Sequence, residues 1–145
     1  MGNNCYLVHT WDIDKLNEVA IISMTDQFNY ANKLDISIEE FKERLRIMNP
    51  LGDKYTDSCE LNSVFMFGED ANKAVSDNIM DINDGGSFNF VSVSAITMGS
   101  MYAACQPSDV TVYQYNPDTN KYEEISEEND VYKYISHSLG VMSRK

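Results

Sequence analysis

The sequence predicts an α+β fold, a mostly antiparallel sheet of about five strands with roughly three or four helices packed on one face, forming one domain over residues 1–145. Three observations carry this. Ser87 to Tyr102 is a charge-free run containing Phe88, Phe90, Val91, Val93 and Ile96, opened by the turn-like Asp84-Gly85-Gly86, which reads as an interior strand. Ser37 and Glu40 stand three residues apart before an apolar-periodic segment, the signature of a capped helix. Asn116-Pro117-Asp118-Thr119-Asn120 separates two β-rich stretches and carries hairpin turn chemistry.

In chain order, Cys5 to Trp11 reads as a first strand, with Cys5, Leu7, His9 and Trp11 on one face. Asp12 and Asp14 offer alternative caps for a helix over much of 14–34, where Leu16, Ala20, Met24, Ala31 and Leu34 follow a three-and-four spacing. A break near Thr25-Asp26 is expected. The next helix starts at Ser37, buries Ile38, Phe41, Leu45 and Met48, and stops at Asn49-Pro50, because proline cannot continue the ladder. Leu51 to Ser58 reads as loop, Leu61 to Phe67 as strand, and Asp70 to about Ile82 as helix. In the central run Phe88 and Phe90 share one parity while Val91, Val93 and Ala95 share the other. Burial on both faces or a bulge near Phe90 is therefore expected. Val110 to Tyr115 and Lys121 to Ile125 flank the hairpin turn and set Tyr115 opposite Tyr122. Ser126 is the expected cap of a last helix through about Ile135, with a frayed tail over 136–145.

Twenty-three acids against eleven bases give a net charge of −12. Such a balance disfavours direct contact with nucleic acid or an anionic membrane, which need a cationic face, and favours a basic protein partner. No apolar run reaches the roughly 20 residues of a membrane span, and no basic segment precedes an apolar stretch near the start. A cytoplasmic protein with reduced thiols is expected. Cys5, Cys59 and Cys105 have no CxxC spacing, and with His9 and His137 as the sole histidines no metal or cofactor site is expected. Asn116–Asn120 and Asp81–Gly86 faintly echo calcium loops, but the first lacks the turn glycine and the second lacks the closing glutamate.

Chemistry has two footholds. Cys59 or Cys105 with His137 would make a small thiol hydrolase if the fold joined them, because the nucleophile is a thiolate held beside an imidazole. Tyr113, Tyr115, Tyr132 and Tyr134 could instead line a pocket for a small ligand or a nucleotide base. The feature that most breaks local rules is electrostatic. On a helix running to Ile82, Asp70, Asp77, Asp81 and Asp84 would share one face, with Asp77 and Asp81 a like-charge pair costing roughly 0.2–0.5 kcal/mol. The last two would also sit where the helix dipole prefers cations. Glu123, Glu124 and Glu127 form a second acidic group.

The leading expectation is a non-catalytic acidic binding protein. It would present these carboxylates to a basic, nucleic-acid-processing partner, as a phage-type inhibitor of a host system would. The hairpin edge also offers a route to a homodimer.

Overall fold

The computed structural model describes residues 4–78, 88–97 and 107–140. The elements are β1 (Asn4–Lys15), α1 (Glu18–Asn32), α2 (Ile38–Met48), β2 (Tyr55–Phe65), α3 (Gly68–Ser76), β3 (Phe90–Thr97), β4 (Asp109–Asn116), β5 (Lys121–Glu124) and α4 (Asp130–Leu139). The five strands form one sheet in the order β2-β1-β3-β4-β5. β3 pairs antiparallel with β1 and β4, and β4 with β5, so the chain is α+β as its sequence predicts. It divides into two compact units, Met1–Ile13 with Asp57–Lys145, and Asp14–Thr56.

In the sheet unit β3 holds the centre, and its residues from Phe90 to Ala95 are all buried. The change of parity at Phe90 is met by burial on both faces, since the register with β1 and β4 runs without a slip. One face carries Val8, Val91, Val93, Tyr113 and Tyr122, and Ala71 and Val75 of α3 pack onto it to close the core. Gly68 opens α3 beneath the Tyr6 ring, where an added Cβ would lie 3.0 Å from a ring carbon. The other face buries Trp11, Ser92, Ser94, Val110 and Val112. There the Trp11 indole donates to Ser92 Oγ at 2.9 Å, and the Tyr132 hydroxyl of α4 donates to the Val110 carbonyl at 3.1 Å.

The hairpin forms as expected. Tyr115 and Tyr122 are paired with ring centroids 5.3 Å apart, and Asn120 takes the left-handed conformation at φ 57°. The last helix starts later than its sequence suggests. Asn129 is its cap, accepting from the Val131 amide at 2.8 Å, while Ser126 accepts from Glu128 in the turn before it. It then runs past Ser136 to a left-handed Gly140 at φ 71°.

Two expectations in this unit are corrected. Tyr55 to Ser58 is strand, not loop, and β2 ends at Phe65. α3 ends at Ser76, six residues before Ile82, because Asn78 takes φ 49°. Its buried amide donates to the Asn120 carbonyl and side chain at 3.2 and 3.3 Å, a long-range tie that stops the helix.

In the second unit, α1 is capped by Asn17, whose Oδ1 accepts from the Ala20 amide at 2.8 Å. Asp12 and Asp14 cannot serve, since β1 continues through both. The break near Thr25 does not occur. The Thr25 hydroxyl donates to the Ile21 carbonyl at 2.8 Å, so the helix absorbs its competing polar group. α2 begins at Ser37 as expected, with the Glu40 amide donating to Ser37 Oγ at 3.1 Å. Of its apolar stripe Phe41 is buried, against Phe28 at 5.4 Å, whereas Met48 is exposed.

The entry to β3 gives the fold's clearest stability test. The Asn89 side chain accepts from the Ile13 amide at 2.9 Å and donates to the Ile13 carbonyl at 2.7 Å, acting as an extra rung between β1 and β3. Asn89→Ala strands both backbone groups and should lower stability by about 1–3 kcal/mol. Urea unfolding checks this, and a change below about 0.5 kcal/mol would refute the role.

Candidate interaction surface

Asp70 and Asp77, both singled out in the sequence, lie at opposite ends of α3. Asp70 lies exposed in the first turn of α3, where the helix dipole favours it, and Asp77 is the residue closing that helix. Asp77 is also neutralised, with Lys73 Nζ 3.2 Å from its Oδ2. Because α3 ends at Ser76, Asp81 and Asp84 are not part of its face, and both lie outside the described residues. Glu123, Glu124 and Glu127 are exposed on and just after β5. Glu123 accepts from Asn116 Nδ2 at 3.2 Å. Among the described residues no cation lies in ion-pair range of Asp70, Glu123, Glu124 or Glu127.

Charge is unevenly divided between the two units. The sheet unit holds fifteen of the 23 carboxylates and five of the eleven Lys and Arg, a net of −10, while the other holds eight and six, a net of −2. In the smaller unit the cations are put to internal use: Lys42 lies 3.3 Å from Glu18, Arg46 2.8 Å from Asp53, and the Arg44 guanidinium sits 5.4 Å over the Phe28 ring. A shallow cavity of about 360 Å³ lies in this unit, with Lys15, Lys42, Lys54, Glu18 and Asp53 among its walls. Its three lysines and two carboxylates leave a net charge of +1 on its walls.

Neither enzymatic foothold gains support from the geometry. Cys59 stands exposed on β2, but partial burial of its sulfur, then the charges of Asp57 and Glu60, push its thiol up to about 11. Carboxylates beside a sulfur oppose the thiolate that a nucleophile needs. His137 is exposed in the last turn of α4, and Cys105 lies outside the described residues. The described residues hold no group of three or more His, Cys, Asp or Glu placed to bind a metal.

The four tyrosine hydroxyls are each committed to a bond within the chain. Tyr113 donates to Asn72, Tyr115 to Asn120, Tyr132 to the Val110 carbonyl and Tyr134 to Asp57. Burial, then Glu124, pushes the Tyr113 phenol up to about 12; Tyr134 is raised by burial first and then by Asp57.

The sequence reading found β2 only from Leu61 onward and missed its first half and its place at the sheet edge. Eleven residues long, it occupies one edge of the sheet, and none of its residues is buried. Leu61, Val64, Met66 and Phe67, along it and just beyond it, are each more than half exposed. A signal was available, for Tyr55 to Phe67 contains neither glycine nor proline.

No helix among the described residues is long and apolar enough to cross a membrane. No protein-family model matches the chain, nor does any curated protein or solved structure.

The thiol supplies a direct chemical test. At pH 8 a group at about 11 carries roughly a hundredth of the thiolate of one at 9.0. Iodoacetamide should therefore modify Cys59 about 100-fold more slowly than free cysteine, and Asp57→Asn with Glu60→Gln should restore part of the rate. Peptide mapping of the alkylated chain reads both, and labelling at the free-cysteine rate would contradict this electrostatic picture.

Proposed function

We propose that the protein is a non-catalytic acidic binding protein whose sheet unit presents carboxylates to a basic partner protein. The observation that carries this reading is the segregation of charge: −10 of the total −12 belongs to the sheet unit. That unit holds 102 of the 145 residues, and its excess negative charge comes from a scarcity of Lys and Arg, five among 102 residues against six among 43. Fields of one sign over a surface accelerate encounter with an oppositely charged partner and reject like-charged ones. Asp70, Glu123, Glu124 and Glu127, with no cation in ion-pair range among the described residues, keep that field available. Proteins that bind nucleic acid offer the matching basic surface. A protein that occupies such a surface acts as an inhibitor, and a phage-type inhibitor of a host nucleic-acid-processing system is one instance.

The immobilised protein tests this on an extract of its native host. Asp70→Asn, Glu123→Gln, Glu124→Gln and Glu127→Gln together should cut retention of basic proteins at least about fivefold in about 0.1 M salt. Neutralising Asp26, Asp35 and Glu43 in the other unit should change it little. Equal losses from both sets, or no basic protein retained at all, would overturn the proposal.

A further inference from the structure

We propose that the outer edge of β2 binds an extended cationic segment of the partner by adding it to the sheet as a further strand. This rests on the acidic-binder reading and specifies where, and by what bonds, the partner is held.

Sheets must manage their edges, because an edge strand offers unpaired N–H and C=O groups to any extended chain. The two edges of this sheet are handled differently. β5 is four residues long and begins with Lys121, a short charged edge that discourages pairing. β2 is eleven residues long, with no proline and no Lys or Arg between Tyr55 and Asn72. Among the described residues its sheet neighbour is β1 alone. Within β2, Leu61 and Val64 have opposite parity, so exposed apolar side chains point to both sides of the edge. That arrangement suits an incoming strand, whose alternate side chains would find apolar contacts on each side, while main-chain bonds supply affinity.

Charge selects the occupant. Asp57 and Glu60 lie within β2, and Glu69 and Asp70 follow at the start of α3. A second copy of this chain would bring two sets of these carboxylates into one ribbon and set two strongly negative units side by side. A strand bearing Lys or Arg at alternate positions meets the same carboxylates with opposite sign. The occupant is therefore a cationic, β-prone segment of a different protein.

The probe is the amidated peptide acetyl-(Lys-Val)4, with the same peptide N-methylated at alternate residues as its partner. N-methylation removes one edge's donors and leaves the charge unchanged. Titration with the full chain should show binding that falls about tenfold or more on N-methylation. Hydrogen exchange should slow over residues 57–65 and stay unchanged in β5. Leu61→Gln with Val64→Gln, both at exposed sites, should weaken the unmethylated peptide about fivefold without altering the circular dichroism.

Equal binding of the two peptides with no protection of β2 would overturn strand addition and leave the acidic-binder reading standing. Absence of binding by either peptide and by deca-lysine in about 0.02 M salt would overturn both. Protection of β2 that rises with protein concentration alone would identify a second copy as the occupant and refute the cationic one.

Discussion

Ser92 holds the indole of Trp11 at the middle of a strand that has no solvent on either side. An orphaned buried group costs about 1–3 kcal/mol; Ser92 avoids that cost through Trp11, whereas Ser94 Oγ on the same strand has no partner among the described residues. That constraint shapes the neighbours of β3. Asn89 reaches across to both backbone groups of Ile13, and the Tyr122 hydroxyl returns to the Phe88 carbonyl at 2.6 Å. These bonds lock the register of β1 against β3. A one-residue slip would turn Val91 and Val93 away from Ala71 and Val75 of α3. The core cluster and the polar ties therefore specify the same alignment.

The same economy explains where the tyrosines went. A ring on a strand can bury its body against α3 only if its hydroxyl reaches a partner, and Tyr113 meets this condition through Asn72. Tyr134 does so through Asp57, which keeps that carboxylate ordered on β2. Side chains rich enough in aromatic surface to suggest a ligand pocket are instead committed to holding the sheet unit together.

How much was legible in the sequence depended on the range of the interactions involved. The Ser37 cap and the Asn116–Asn120 turn are decided within a few residues, and both were readable. β3 was readable because burial on both faces imposes a continuous apolar run. The end of α3 was not. Its apolar spacing continues through Ile79 and Ile82, and what stops it is Asn78 reaching Asn120, 42 positions away. The first half of β2, before Leu61, escaped for the opposite reason. Strand signals in sequence are chiefly burial signals, and a strand with no buried residue shows none. Thr56, Asp57, Ser58 and Glu60 looked like loop because they are exposed, not because they are irregular.

That blindness has a physical meaning. An edge strand normally advertises its position through the devices that protect it, lysines, prolines or brevity, and β5 uses two of them. β2 uses none and instead carries Leu61 and Val64 into solvent. Carboxylates are its sole defence, and their protection is selective. They repel another acidic chain, including a second copy of this one, but they attract a cationic strand. An edge guarded by charge of one sign is closed to its own kind and open to its opposite. On the proposed reading, the net negative charge of the sheet unit has two effects from one cause: it disfavours pairing of β2 with a second copy, and it favours a cationic strand there.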